Sequence, residues 1–238
     1  MIEIRDLSVS FGGVRALDGL SARLDDPIVG VIGPNGAGKT TLLNAFSGFV
    51  PVASGSLTAF GTDLLAMAPH RRARWGLRRS FQTEEMVDDL TVADNVRVML
   101  DALTMKPREK TAAVERALAF VGLADQGRLL CAGMDLYRRR QVEIAKIVAG
   151  SPKVVLLDEP AAGLQPNEAA ALRDILVAIP ETCGARVVLI DHDVDLIAAI
   201  CRSTLVLDFG RRLAFGPTGE VLRDPKVKAA YLGLKEAA

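Results

Sequence analysis

The sequence has no excess of either charge and contains few aromatic residues. Among its 238 residues, 29 Lys and Arg balance 29 Asp and Glu, and only 5% are aromatic. Because a neutral chain offers no overall cationic field, we expect no nucleic-acid partner. Half of the residues are hydrophobic, which excludes a disordered chain and allows one domain or two small ones.

Cysteines are also few, and no two of them form a C-x-x-C pair. The three cysteines, Cys131, Cys183 and Cys201, lie far apart along the chain. Their number and spacing indicate neither a disulfide framework nor a thiolate metal cluster. We therefore expect a reducing compartment.

Long hydrophobic runs without turn residues are absent. Residues 40–62 carry no charge and are long enough to span a bilayer, but three glycines and Pro51 interrupt them. The N-terminus has acidic residues where a signal peptide has basic ones. The sequence therefore predicts a cytoplasmic chain without a membrane span.

Hydrophobic periodicity predicts two kinds of strand. Residues 2–9 and 16–24 alternate between apolar and polar around a Gly-Gly turn, which indicates an antiparallel layer that also includes residues near 56–59. Short, continuous apolar runs are typical of the buried strands of a parallel α/β sheet. These runs cover residues 28–32, 154–157, 187–190 and 205–207.

The middle of the chain predicts helices instead. Thr91 and Asp94 form a helix start, residues 113–121 mark a second helical face, and residues 136–149 a third. The predicted organisation is one domain over residues 1–238, with an α/β core and antiparallel layer in 1–83 and 151–238 and a helical subdomain in 84–150.

The most specific motif follows the first buried run. Gly33-Pro34-Asn35-Gly36-Ala37-Gly38-Lys39-Thr40 fits the pattern G-x-x-x-x-G-K-[ST], ahead of a helix predicted over residues 39–49. Glycines allow successive backbone N–H groups to converge on the β-phosphate of a nucleotide. Lys39 can reach the β and γ oxygens, and the Thr40 hydroxyl can ligate Mg²⁺. The motif predicts a nucleotide-binding loop that continues to Thr41.

Two adjacent acids end the second buried run. Asp158 and Glu159 follow residues 154–157 and precede Pro160. Taken alone, such acids are typical of a solvated strand end. In a chain with a phosphate loop they predict a site for nucleotide hydrolysis, because the first acid can hold Mg²⁺ through water and the second can polarise an attacking water.

These motifs, in this order, resemble those of ATP-binding-cassette (ABC) transporter ATPases over essentially the whole chain. The resemblance implies a P-loop α/β core with an N-terminal antiparallel β-subdomain and an inserted α-helical subdomain, binding ATP and Mg²⁺. Phe11 resembles the aromatic that stacks on adenine, and Gln82 resembles the glutamine that senses Mg²⁺ and the membrane partner. Asp158 resembles the metal-binding acid. Glu159 resembles the catalytic glutamate, and His192 the histidine that contacts the γ-phosphate.

Finer features resemble the ATPases of branched-chain amino-acid importers. They are the phosphate loop and residues 79–82, 161–164, 191–193 and 230–233. ATPases of urea importers and of lipopolysaccharide exporters have similar features and are alternatives. The resemblance implies membrane-spanning permease subunits as partners and a periplasmic or extracellular substrate-binding protein as an indirect partner. It also implies a peripheral position on the cytoplasmic face of the membrane.

The family's signature, Leu-Ser-Gly-Gly-Gln or a close variant, is replaced in this chain. Its five positions are Met134-Asp135-Leu136-Tyr137-Arg138, and both glycines are missing. Asp135 can still cap the following helix, but its carboxylate would repel the γ-phosphate that the family's serine contacts on the opposite subunit. Tyr137 places a bulky side chain where a backbone should approach closely. The arginine run at 138–140 favours a solvated helix face, with partial neutralisation of Asp135 as the alternative.

In this family two subunits close head to tail, so that the phosphate loop of each faces the signature of the other. A homodimer of this chain would have two defective ATP sites, whereas a heterodimer with an intact partner would keep one good site. We therefore favour a second, different ATPase subunit over a homodimer. Gln165, which replaces the family's aspartate after Leu164, weakens the expected coupling between subunits. A nucleotide-binding regulatory subunit with little hydrolysis is the alternative. A soluble cassette protein of DNA repair or translation is disfavoured, because it would be expected to carry a tandem cassette, a long insertion or a basic surface.

Overall fold

The computed structural model of the chain describes residues 1–81 and 86–232, except for the side chains of residues 231 and 232. The chain divides into two compact units. The first comprises residues 1–75 and the chain from residue 186 onward, and the second comprises residues 76–185. Within the described ranges, no helix is long and apolar enough to cross a membrane.

Strands and helices follow one another along both units. In chain order they are β1 (Ile2–Phe11), β2 (Val14–Leu24), β3 (Ile28–Ile32), α1 (Lys39–Ser47), β4 (Ser54–Ala59), β5 (Thr62–Asp63), α2 (Pro69–Trp75), β6 (Leu77–Arg79), α3 (Val92–Val98), α4 (Pro107–Phe120), α5 (Leu136–Val148), β7 (Val154–Asp158), α6 (Pro166–Cys183), β8 (Arg186–Ile190), α7 (Val194–Ile200), β9 (Ser203–Asp208), β10 (Arg211–Pro217), α8 (Thr218–Val221) and α9 (Pro225–Leu232). A short 3-10 helix lies at Ala124–Gln126.

The first unit contains the predicted antiparallel layer. Its strands are ordered β2-β1-β4-β5, and all neighbouring pairs are antiparallel. Ile2 pairs with Leu24, and Ile4 pairs with Ala22, so that the apolar residues of both strands share one buried face. The alternation in the sequence therefore predicted this layer correctly.

The first unit also contains three of the predicted buried strands. β3 pairs in parallel with β8 on one side and with β9 on the other. Every residue of β3 is buried, as its continuous apolar run predicted. β10, which the sequence did not predict, pairs antiparallel with β9. Helix α1 follows β3 as predicted but ends at Ser47, because Gly48 adopts a left-handed conformation (φ 78°) that closes the helix.

The second unit contains the fourth predicted strand and the predicted helices. β7 pairs in parallel with the short strand β6, with Leu77 opposite Val154. α3 begins at the predicted cap, since the Thr91 hydroxyl accepts from the backbone N–H of Asp94 at 3.1 Å. α4 and α5 cover the other two predicted helical segments. The family resemblance therefore gave the correct fold class, a P-loop α/β fold with an antiparallel β-subdomain and helical parts.

Candidate functional site

The phosphate loop connects β3 to α1 in the first unit, and its backbone needs glycine at particular positions. Gly33 has φ 154° and Gly38 has φ 102°. A Cβ atom on Gly33 would collide with the carbonyl oxygen of Leu207, and one on Gly38 would lie 2.5 Å from the carbonyl oxygen of Ala16. Only glycine fits this path, so the motif spacing reflects close backbone packing.

Hydrogen bonds hold the loop against two neighbouring segments of the same unit. The carbonyl of Ala37 accepts from the N–H of Gly210 at 3.0 Å, and the carbonyl of Gly210 accepts from the N–H of Asp18 at 2.9 Å. Arg211 donates twice to the Asp18 carboxylate, at 2.6 and 2.9 Å. Arg211, together with Arg15, lowers the pKa of Asp18. β2 and the β9–β10 turn therefore form a fixed support behind the loop.

The start of α1 presents groups that suit a phosphate. Its N-cap, Gly38, has no side chain, and the first turn contains no acid. The first N–H groups of a helix have no partners within it and carry positive partial charge. Lys39 folds over the loop, with its ammonium donating to the carbonyls of Gly33 at 2.7 Å and Pro34 at 3.0 Å. A cradle of backbone donors with a cation beside it fits a nucleotide phosphate.

The structure also places the remaining loop residues of the predicted site. Asn35, Gly36 and Thr40 are exposed, whereas Ala37 is buried. Thr40 is the second residue of α1, so its hydroxyl lies at the same helix start, followed by the half-buried Thr41. Their exposure leaves the loop accessible to a ligand.

Phe11 is the last residue of β1 and pairs with Val14 across the Gly-Gly turn. Its side chain is 48% exposed. An aromatic ring of this size that is half exposed at a hairpin end offers a face for stacking a nucleotide base.

His192 follows β8 and is 68% exposed in its side chain. Its Nδ1 lies 3.7 Å from Oδ1 of the buried Asp191, which also accepts from the N–H of Asp193 at 2.9 Å. Asp193 in turn caps α7. Burial and the neighbouring Asp191 raise the pKa of Cys201 to about 12, so this thiol stays protonated and inert. The buried carboxylate thus orders the turn that carries the exposed imidazole.

The adjacent acids lie at the end of β7 in the second unit. Asp158 is only 3% exposed, and its N–H donates to the hydroxyl of Ser80 at 2.9 Å. Nη2 of Arg79 lies 3.7 Å from the Asp158 carboxylate. A buried carboxylate oxygen is a hard ligand of the kind that Mg²⁺ prefers. Glu159 has φ 50°, a left-handed conformation that is uncommon outside glycine and recurs at functional sites.

A buried polar cluster connects the strand beside Asp158 with helix α5. The N–H of Phe81 donates to Oε1 of Glu143 at 3.4 Å, and Arg140 donates to Oε2 at 3.0 Å. The Arg79 guanidinium lies 5.0 Å from the centre of the Phe81 ring, which is a cation–π distance. Burial raises the pKa of Glu143, opposed by Arg140. Gln82, predicted to sense Mg²⁺ and the membrane partner, lies outside the described residues.

The segment that the family resemblance places at the signature, residues 134–138, forms the start of α5. Asp135 is the N-cap, and its carboxylate accepts from the N–H of Arg138 at 2.8 Å, as predicted. Tyr137 is half-buried, and burial, reinforced by Glu168, raises its pKa. The side chain at 137 therefore remains a neutral phenol.

The predicted solvated face at residues 138–140 is wrong for two of the three arginines. Arg138 is half exposed, with Nε 3.8 Å from the Asp135 carboxylate. Arg139 instead donates to Asp88 at 2.7 Å, and Arg140 is buried against Glu143. Carboxylates on neighbouring segments, which the sequence order conceals, fix these two side chains.

Sequence reasoning assigned no role to three further residues near these motifs. Arg79 and Glu143 belong to the buried polar cluster beside Asp158, and Arg72 is buried on α2. A basic stretch such as residues 70–74 is typical of a solvated helix, so no sequence signal distinguished the buried arginine from its exposed neighbours.

Comparison with known proteins decides the family. Residues 19–162 match the profile of the ABC transporter family. The chain belongs to this family. It is 31% identical to the high-affinity branched-chain amino acid transport ATP-binding protein BraF of Pseudomonas aeruginosa, and 30% identical to the corresponding LivG of Escherichia coli. Each match covers 98% of both sequences.

A solved structure agrees with this assignment. The ADP conformation of MJ1267, an ATP-binding cassette of an ABC transporter, superposes with a TM-score of 0.85 at 25% identity over 98% of this chain and 99% of that one. The predicted fold and the predicted class, an ATPase subunit of an ABC transporter, are thereby confirmed.

Proposed function

We propose that this chain binds ATP through its phosphate loop, hydrolyses it to ADP and phosphate, and couples the reaction to a membrane permease. The observation that carries the proposal is the geometry of the loop. Gly33 and Gly38 have positive φ in a loop that leads into α1, the first turn of α1 is free of acids, and Lys39 supplies a cation. This set of groups matches the charge and shape of a nucleotide phosphate.

The catalytic roles follow from the chemistry of single side chains. Glu159 orients a water and accepts its proton as the water oxygen bonds to the γ-phosphorus and the bond to the bridging β,γ oxygen breaks. His192 donates a hydrogen bond to the γ-phosphate through its exposed ring, and Lys39 offsets charge on the β and γ oxygens. Phe11 stacks on the adenine.

A metal ion is the implied cofactor of this reaction. Mg²⁺, when bound, neutralises charge on the β and γ oxygens. Thr40 and Asp158 supply the hydroxyl and carboxylate that would hold it, and Gln82 is the third proposed ligand. The burial of Asp158 at the end of a strand and the exposure of Thr40 at the start of α1 support these two assignments.

We further propose that the transported solute is a branched-chain amino acid or a related small polar solute such as urea or an amide. The support is the similarity to BraF and LivG over 98% of the chain. Under this proposal the chain docks on permease subunits at the cytoplasmic face of the membrane, and a periplasmic or extracellular binding protein supplies the solute.

We propose a second, different ATPase subunit as the dimer partner. The supporting observation is the start of α5, where the carboxylate of Asp135 occupies the N–H of Arg138. A fixed anion there disfavours the γ-phosphate of ATP bound to an opposite subunit. The same observation supports the second candidate function, a nucleotide-binding regulatory subunit with little hydrolysis.

Steady-state ATPase activity separates these functions. The chain is assayed alone, mixed with a candidate second ATPase subunit, and as Glu159→Gln in the same mixture. We expect activity in the mixture that falls at least about 100-fold with Glu159→Gln, because a general base is lost. A mixture that is active and indifferent to Glu159→Gln would show that this chain is a regulatory nucleotide binder.

A further inference from the structure

Arg72 is a buried cation at the C-terminal end of α1, the helix that begins at the phosphate loop. It lies on α2, where Arg71 and Arg74 are exposed, but is itself only 5% exposed. Its Nη1 donates to the carbonyl oxygens of Ala45 at 2.6 Å and Phe46 at 2.7 Å. These two carbonyls belong to the last turn of α1, so the charged group of one helix closes the end of another.

The same guanidinium is anchored on its other side. Nε of Arg72 donates to the carbonyl of Met67, which precedes α2, at 2.9 Å. Burial lowers the pKa of Arg72, and the nearby Asp63 opposes this effect. A buried arginine is costly unless carbonyls or charges satisfy it. The carbonyls of Met67, Ala45 and Phe46 therefore satisfy the buried guanidinium of Arg72.

The backbone N–H groups of Gly48 and Phe49 close the C-terminal end of α1, but no cation within the helix supports that end. The helix is nine residues long, has no basic residue in its last turn, and includes Thr40, Thr41 and Asn44, which are poor helix formers. Cations near a helix C-terminus are stabilising, and here α2 supplies the cation. A Cβ atom on Gly48 would lie 2.9 Å from Cζ of Arg72, so the glycine that ends α1 also makes room for the guanidinium.

We propose that Arg72 is a positioning residue for nucleotide binding, fixing the far end of α1 so that its first turn meets the phosphates in the correct place. Because α1 is one continuous helix from Lys39 to Ser47, a displacement of its far end can be transmitted to its first turn. At the near end Gly38 packs against Ala16, and at the far end Arg72 holds Ala45 and Phe46. The inference rests on the proposed nucleotide-binding role of the loop.

The test measures the affinity of the full-length protein for ADP with Mg²⁺ by titration calorimetry. Arg72→Met keeps the length of the side chain but removes every donor, whereas Arg74→Met removes an exposed arginine from the same helix. We expect Kd to rise about tenfold for Arg72→Met and to stay within about twofold for Arg74→Met. Titrations are made well below the unfolding temperature of each variant, so that loss of folded protein does not imitate weak binding.

A second variant and a second readout keep the test decisive. Arg72→Lys retains the charge but can satisfy fewer carbonyls, so we expect an intermediate rise in Kd of about threefold and faster amide hydrogen exchange in α1. If Arg72→Met does not fold, the Kd of Arg72→Lys for ADP decides whether Arg72 positions α1 for nucleotide binding.

Two contrary results have different meanings. A lowered unfolding temperature with an unchanged Kd for ADP would overturn the inference, because Arg72 would then act on stability alone. Failure of the wild-type protein to bind ADP would overturn the proposed function instead.

Discussion

α1 begins at the phosphate-loop motif and α5 at the segment predicted to replace the signature, and the two first turns are closed in opposite ways. α1 starts at Gly38, which has no side chain, and continues with Lys39. α5 starts at Asp135, whose carboxylate accepts from the N–H of Arg138. The first helix starts without a carboxylate and with the Lys39 ammonium held on the carbonyls of Gly33 and Pro34, whereas the second already holds an anion of its own. A helix start that caps itself in this way stabilises the subunit and is poorly suited to a phosphate.

The packing around the two helix starts also differs. Glycines bring other backbone segments against the phosphate loop, and a Cβ atom on Gly38 would strike Ala16. At α5 the corresponding positions, as the resemblance predicts them, hold Leu136 and Tyr137, and Leu136 packs close to Gly163. The close backbone approach is therefore kept at one motif and replaced by side-chain packing at the other.

The largest stability effect is expected where the phosphate loop depends on glycine. Gly38→Ala should lower the free energy of unfolding by about 3 kcal/mol, because a left-handed residue gains a Cβ against a backbone carbonyl. Gly36→Ala is the matched control, since Gly36 also has positive φ (81°) but nothing lies within 4 Å of its added Cβ. There we expect about 1 kcal/mol. Urea unfolding compares the two, and equal losses would mean that the close packing behind Gly38 is unimportant.

Removing the cation should weaken nucleotide binding at the open helix start. Lys39→Met is expected to raise Kd for ADP about 30-fold, or about 2 kcal/mol, because a charge-assisted contact to phosphate is lost. Lys110→Met, which removes a lysine paired with Asp101 on the second unit, serves as control and should leave Kd unchanged. Titration calorimetry measures both. Equal affinities in Lys39→Met and wild type would contradict the proposed role of the loop.

A smaller effect is expected at the capped helix start. Asp135→Ala should lower the free energy of unfolding by about 1 kcal/mol, because the N–H of Arg138 loses its acceptor. Asp135→Asn keeps an oxygen acceptor and should cost less. Thermal or urea unfolding at neutral pH distinguishes the two variants. If alanine and asparagine were equally stable, the cap would not account for the acid at this position.

The smallest effect concerns the support behind the phosphate loop and depends on pH. Arg211 and Arg15 lower the pKa of Asp18 in the folded protein, so this carboxylate stabilises the fold above the pKa of about 4 that it has when unfolded. The contribution is lost as pH falls through the lower, folded value. Asp18→Asn should therefore be slightly less stable than wild type at pH 7, and the difference should shrink below about pH 4. A difference that grew on acidification would refute this assignment.

Local patterns predicted the core of the fold because they are self-contained. The apolar run of β3 and the glycine-rich loop after it carry the signals for strand, turn and helix in consecutive residues. β6 was missed because it contains Arg78 and Arg79, which resemble surface residues, although Arg78 is buried and the Arg79 side chain is only 8% exposed. β10 was missed because its residues are at most half-buried and carry no clear alternation.

Residues of the candidate site were likewise predicted only where the pattern is local. Sequence motifs predicted roles for Lys39 and Asp158 because each belongs to a pattern of adjacent residues. Arg72 and Glu143 act on backbone groups far away in the chain, at Ala45 and at Phe81 respectively. Such contacts arise from packing and leave no local pattern to read.

The most direct test of this contrast between the two helix starts is the steady-state ATPase rate of the chain by itself after its signature has been rebuilt. Asp135→Ser is combined with Leu136→Gly and Tyr137→Gly, and Asp135→Ser alone serves as control. We expect the wild-type chain to hydrolyse ATP slowly and the triple variant to be at least about tenfold faster, because a donor surface replaces a fixed anion. A wild-type chain that is already as fast as the triple variant would contradict the account.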